Sequence, residues 1–189
     1  ETTATALSWL WYLLDRHPEE QDRLRDELRT ATGGHAPTVE HLPQLPRMKA
    51  VVQEALRLYP ALWMFDRRAL GPDDLAGTKV ARGDLVIFCP YAIHRLPELW
   101  SDPEAFHPER FEAGREEQKN KFAYLPFSAG PRTCIGNSFA MIESQIIMGT
   151  LLARFRARLA DPAPITPRPR VTLRTSRPVG LRLERAPLA

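Results

Sequence analysis

Apolar residues in the first third of the chain recur at helical spacing, and three helices follow from them. Leu7, Leu10, Trp11 and Leu14 stand three and four apart, predicting a helix over residues 1 to about 16. Pro18 suits a first helical turn, Leu24 and Leu28 form a stripe among Glu, Asp and Arg, and Gly33-Gly34 stop the segment near Thr32. After a loop over Thr38 to Leu45 with room for a short turn, Met48, Val51, Val52, Ala55 and Leu56 predict a third helix over Pro46 to Leu58, ended before Pro60. The pattern then shortens. Phe65 to Leu70, Thr78 to Ala81 and Asp84 to Cys89 read as strands, with turns at Gly71-Pro72 and Arg82-Gly83. Tyr91 to Phe127 is Pro-rich and irregular apart from a helical turn around Pro97 to Trp100, and so long a loop in a compact domain is usually functional. A long helix over Ile135 to Arg156 follows, then a terminal hairpin of Val171 to Thr175 with Val179 to Glu184. The sum is mainly α with a small β part.

Composition narrows what such a chain can be. With 189 residues, 43% apolar and 26% charged, it is an ordinary globular domain, or one and a part. It is not a disordered tail, a collagen-like rod or a polytopic membrane protein. A net charge of +3 with no basic run set among aromatics excludes nucleic acid as the expected partner. Of the 26 basic residues 22 are Arg, which points to a GC-rich, bacterial genome. Two Cys make no disulfide framework, so a reducing, cytoplasmic compartment is expected. The apolar run Leu10 to Leu14 is far too short to span a bilayer. The chain opens on helix-like Glu1-Thr2-Thr3-Ala4 without a cap, so it reads as the C-terminal part of something longer, on which a membrane anchor could lie.

Chemistry concentrates at Phe127-Ser128-Ala129-Gly130-Pro131-Arg132-Thr133-Cys134-Ile135-Gly136. Gly130 permits a tight turn. Cys134 lies just before a helix, where backbone N–H groups, the positive dipole end and Arg132 favour a thiolate. Gly136 lets a large flat group approach the backbone. Such a thiolate suits nucleophilic attack, redox exchange or metal ligation. None of the five His is assignable as a nucleophile's partner, there is no C-x-x-C, and the His and Cys fit no zinc spacing. Iron carried in a macrocycle needs one protein ligand only. The bland alternative is an inert Cys, which is the reading for Cys89 in its apolar strand.

Phe-x-x-Gly-x-Arg-x-Cys-x-Gly resembles the haem-binding signature of the cytochrome P-450 superfamily at every fixed position. The resemblance implies the C-terminal portion of that fold, covering residues 1–189. It also implies haem b (iron protoporphyrin IX) ligated by Cys134, with Phe127 shielding the sulfur and Arg132 paired with a propionate. Three further motifs stand in the family's order. Glu54-Ala55-Leu56-Arg57 matches E-x-x-R, which on an exposed helix face is worth only a few tenths of a kcal/mol. Pro108-Glu109-Arg110-Phe111 supplies an Arg that, in the family, joins Glu54 and Arg57 in a buried charge network tying the Cys loop to the third helix. Glu1-Thr2 matches an acid–Thr pair that relays protons during dioxygen chemistry; otherwise both residues serve a helix start. By spacing, Arg67 matches a second propionate-binding Arg, with Arg68 competing. Leu62, Trp63 and Met64 match a stretch facing substrate, though such residues are more often plain core. His94-Arg95 also recurs in relatives, and is read as having a loop and propionate-edge role without chemistry.

The activity implied is a haem-thiolate monooxygenase. It inserts one atom of dioxygen into a small apolar substrate, with electrons from NAD(P)H passed through a ferredoxin or flavoprotein reductase. The alternative is a non-catalytic haem-binding or interaction remnant of such an enzyme, and the genomic sequence upstream of Glu1 discriminates the two. The chain is expected to be monomeric. Arg115, Lys119 and Lys121 could form a docking face for the electron donor, but interleaved Glu112, Glu116 and Glu117 suit a plain solvated loop equally.

Overall fold

The computed structural model describes residues 1–112, 120–186 and 188; Arg115, Glu116, Glu117 and Lys119 of the suggested docking face lie outside them. Helices α1 (Thr2–Arg16), α2 (Pro18–Thr32) and α3 (Pro46–Leu58) form where the periodicity places them. Pro18 and Pro46 occupy first turns, where no N–H is required, and Gly33 closes α2 at φ 61°. Their stripes meet in one core: Leu14, Leu24, Leu28, Met48 and Val51 are all fully buried. Each such burial contributes about 2 kcal/mol. Leu45 cannot cap α3 with its side chain, and α2 does so instead: Glu27 accepts the N–H groups of Arg47 at 2.7 Å and Met48 at 2.9 Å. Burial nevertheless raises the pKa of Glu27.

Strands β1 (Phe65–Arg68), β2 (Asp73–Leu75), β3 (Thr78–Val80) and β4 (Leu85–Phe88) follow. They pair antiparallel as β1 with β4 and β2 with β3, so the three-strand expectation missed β2, whose two Asp hide it from a propensity reading. The expected irregular stretch contains a short helix α4 (Pro90–Ile93) and a 3-10 turn over Pro108–Phe111. The turn expected at Pro97 to Trp100 forms, the N–H groups of Leu99 and Trp100 both donating to the Leu96 carbonyl at 3.0 Å. Cys89 is half-buried just after β4, and Leu85 and Ile87 of that strand are exposed rather than core.

The last third needs two corrections. The long helix is α5 (Asn137–Leu152), not Ile135 to Arg156. Phe155–Leu159, alternating apolar and charged, is instead strand β5, and Gln21 of α2 holds it through both polar groups of Ala157. Nor do Val171 to Thr175 and Val179 to Glu184 pair with each other. Strand β6 (Pro167–Pro169) pairs with β7 (Leu173–Thr175), while β8 (Leu181–Arg185) returns to β5 in the register Leu159↔Leu181. Tertiary bonds decide this: the Trp9 indole N–H donates to the Leu173 carbonyl at 2.7 Å, and the Leu173 N–H to the Ala61 carbonyl at 3.0 Å. No helix among the described residues is long and apolar enough to cross a membrane.

Candidate functional site

The segment before α5 closes on itself. The Cys134 N–H donates to the Phe127 carbonyl at 2.9 Å, and the Thr133 N–H and hydroxyl both bond the Gly130 carbonyl. Two left-handed residues make the turn, Ser128 at φ 64° and Gly130 at φ 72°. Glycine adopts that conformation freely, whereas a serine there costs about 1 kcal/mol. The Ser128 hydroxyl accepts a bond from the Arg67 guanidinium at 3.0 Å. Cys134 emerges exposed, two residues ahead of the Gly136 that caps α5. A Cβ on Gly136 would stand 3.8 Å from the Cys134 sulfur, so glycine leaves that flank of the sulfur bare.

The sulfur stands in the wall of a cavity of about 370 Å3. Thr2, Thr3 and Ala6 of α1 form another part of the lining, Leu56, Ala61 and Leu62 contribute from the end of α3 onward, and Gly136, Phe139, Ala140 and Ser144 belong to α5 and its cap. Gly136, Ala140 and Ser144 recur every four residues, a stripe of small residues on one helix face. The lining is mostly apolar, with a single thiol and one guanidinium, that of exposed Arg132. A soft sulfur donor, apolar walls and Arg132, with Arg67 held against the same loop, fit a flat apolar cofactor that carries acidic groups and a thiolate-binding metal.

Of the residues singled out from sequence, Thr2, Leu62, Phe127, Arg132, Cys134 and Gly136 come together here. Glu1 does not. Its carboxylate takes an ion pair from Arg174 at 2.6 Å and a bond from the Thr172 hydroxyl, which hold its pKa below the ordinary range, in a separate depression beside β7. Glu1 and Thr2 are thus adjacent in sequence but face different cavities. The Trp63 indole donates to the Arg170 carbonyl at 2.7 Å, and neither Trp63 nor Met64 is in the Cys134 lining. Arg67 reaches the Cys loop, while Arg68 bonds the Gly83 carbonyl at the surface. The sequence reading missed Ser128, Phe139, Ala140 and Ser144. The four-residue stride from Gly136 signals two of them.

Behind the loop lies a buried charge cluster. Glu54 and Arg57 are fully inaccessible, and Arg57 spends all five donors: two on the Glu54 carboxylate, three on the carbonyls of His94, Pro103 and Ala105. Glu54 also accepts the His107 N–H at 2.8 Å and faces Arg110 Nε at 3.5 Å. Arg110 donates onward to Ser101 and to the Asp102 carbonyl. The pair is therefore not an exposed helix bridge. Close by, Tyr124 donates to the Gln53 carbonyl at 3.0 Å, and burial raises its pKa well above the ordinary value.

With this geometry in place, the chain was compared with known proteins. The family described as Cytochrome P450 matches residues 1–182. Cyclooctatin synthase of Streptomyces melanosporofaciens is 37% identical over 173 residues, 92% of this chain and 38% of that protein. Cyclooctat-9-en-7-ol 5-monooxygenase of the same organism is 39% identical over 158 residues, 84% of this chain and 34% of its own. Cytochrome P450 4A6 of Oryctolagus cuniculus is 39% identical over 188 residues, 98% of this chain and 36% of its own. The chain thus spans little more than a third of the length of these relatives. They come from a bacterium and a mammal, so the likeness does not single out the bacterial source expected from the Arg content.

Proposed function

Given that the chain belongs to the cytochrome P450 family, we propose that residues 1–189 are the C-terminal haem-binding portion of a haem-thiolate monooxygenase acting on a small apolar substrate. The observation that carries this reading is the single, exposed Cys134 thiol in a mostly apolar cavity whose one guanidinium is that of Arg132. Haem bound there supplies iron whose thiolate ligand favours cleavage of the O–O bond of dioxygen. The chain's own residues supply the rest. Cys134 is the ligand, aimed by the Phe127 carbonyl and the turn at Gly130. Arg132 and Arg67 pair with the two carboxylates of haem b, Arg67 being steadied by Ser128. The apolar lining excludes water, Leu62 borders the substrate, and the Thr2 hydroxyl holds a proton at the cavity wall. Electrons come from NAD(P)H through a ferredoxin or flavoprotein reductase. The relative named cyclooctat-9-en-7-ol 5-monooxygenase supports the same reaction class here.

The test is spectroscopic. Protein expressed from the complete gene, reduced and bound to carbon monoxide, is expected to show the red-shifted Soret band of thiolate ligation, and Cys134→Ser to abolish it. A variant that kept the band would remove Cys134 as the ligand.

A further inference from the structure

A histidine sealed from solvent must have both ring nitrogens answered or leave a polar atom unpaired. His94, fully buried at the C-terminal end of α4, has both answered. Its Nε2 lies 2.8 Å from the Leu125 backbone nitrogen, and its Nδ1 lies 3.0 Å from the Arg57 carbonyl oxygen. A backbone N–H can only donate, so Nε2 accepts; a carbonyl can only accept, so Nδ1 carries the hydrogen. One neutral tautomer satisfies both bonds. The opposite tautomer satisfies neither, and the imidazolium would set one N–H against another.

The bond partners give this arrangement its consequence. Arg57 returns the grip, donating to the His94 carbonyl at 2.7 Å, so His94 is locked to the buried pair by backbone and ring together. Its ring stacks on Tyr124 with centroids 5.4 Å apart, and Tyr124 is itself bonded to α3 at Gln53. Leu125 lies two residues before Phe127, whose carbonyl receives the Cys134 N–H. Arg110, the third member of the expected network, faces Glu54 and donates to Ser101 and Asp102. Two direct ties join the residues just before Phe127 to α3, the Tyr124 hydroxyl to Gln53 and the His94 ring between Leu125 and Arg57, and only the ring holds the Leu125 backbone.

We propose that His94 is a positioning residue for Cys134: as the Nδ1–H tautomer it fastens the entry to the Cys loop, at Leu125, to the backbone of the Glu54–Arg57 helix, and so sets where the sulfur stands. The groups facing it from its own segment and from α3 are the cations Arg95 and Arg57, while Tyr124 and Trp100 are neutral rings. Burial first, then those cations, push its pKa down to about 3, in keeping with a ring that stays neutral.

The inference rests on Cys134 as haem ligand, and its test separates the two. Haem-loaded protein from the complete gene is compared as wild type, His94→Leu and His94→Gln, by hydrogen exchange at the Leu125 amide and by the share of red-shifted Soret absorbance in the carbon monoxide complex. His94→Leu is expected to speed exchange at Leu125 about tenfold or more and to reduce that share. His94→Gln, whose side-chain oxygen can accept where Nε2 does, is expected to recover both. Wild-type values in His94→Leu overturn the proposal, and so does a His94→Gln variant as impaired as His94→Leu. If His94→Leu does not accumulate, nitrogen NMR of the wild-type ferrous carbon monoxide complex decides: Nδ1 protonated and Nε2 bare supports the proposal, and any other state overturns it. A wild type lacking the red-shifted band would count against Cys134 as ligand instead.

Discussion

The two ends of α3 each hold an arginine among carboxylates, and they are built differently. At the C-terminal end Arg57 is fully buried, bonds one carboxylate, and gives its other donors to backbone carbonyls. At the N-terminal end Arg47 keeps 13% of its side chain exposed and faces three carboxylates, those of Glu20, Glu109 and Glu112, with side-chain exposures of 5%, 32% and 37%. The first ties segments together through their main chain. The second ties side chains across a rim that water reaches. Burial and the kind of acceptor, not the number of ion pairs, decide what each cluster is worth.

The sharpest way to break the comparison is to remove one partner at the buried end. Glu54→Ala or Arg57→Ala strands an unpaired charge and should cost about 3–5 kcal/mol, read as a fall in melting temperature and in haem-loaded protein. A wild-type melting temperature in either variant would make the pair energetically a surface bridge.

Next in size is acid. His94, in the same cluster, has its pKa pushed down to about 3. Below an unfolded value of about 6.5 the unfolded chain therefore takes up a proton that the folded chain refuses. This contribution to stability is fully present above that value and declines as pH falls toward the folded one. The loss is about 1.4 kcal/mol per pH unit, so about 2 kcal/mol by pH 5. Urea unfolding at pH 7, 6 and 5 measures it, and His94→Gln should flatten the dependence over that range. An equally steep fall in His94→Gln would assign the acid sensitivity elsewhere.

Arg47→Ala should cost less, about 1 kcal/mol, because Glu109 and Glu112 stay partly solvated and the buried Glu20 keeps its ion pair with Arg23. A loss as large as that of Arg57→Ala would erase the distinction between the two ends. The smallest effect on stability is expected at Thr2, which touches neither cluster but lines the Cys134 cavity. Thr2→Ala should keep the melting temperature, haem spectrum and substrate affinity, while product formed per NAD(P)H consumed falls and peroxide rises. Unchanged coupling, measured beside wild type with the same redox partner, would leave Thr2 a helix residue without part in the chemistry.

Much of this molecule is legible without coordinates, for a local reason. The bounds of α2 and α3 follow from Pro18, Gly33, Pro46 and Pro60, residues whose conformational limits act within a turn of where they stand. The Cys134 segment is legible in the same way: Arg132, Cys134 and Gly136 are close in sequence and line one cavity, and Gly130 makes the turn that presents them without lining it. Long-range partnerships are not written locally. Phe155 and Arg156 read from sequence as the end of the helix, yet Phe155–Leu159 is a strand because Gln21 and Leu181 await it. Glu1 and Thr2 are neighbours in sequence, yet Arg174, distant in the chain, draws one carboxylate away from the cavity its neighbour lines.

What the sequence by itself determined is therefore the first three helices, the middle of α5 and the turn that presents Cys134. Tertiary structure alone decided the strand pairing, the separation of Glu1 from Thr2, and the worth of Glu54–Arg57. The same E-x-x-R spacing is worth a few tenths of a kcal/mol in water and about 3–5 kcal/mol to disrupt when buried. It decided His94 as well, because a ring's tautomer is set by the donor and acceptor that meet it, and both, Leu125 and Arg57, lie more than 30 residues away.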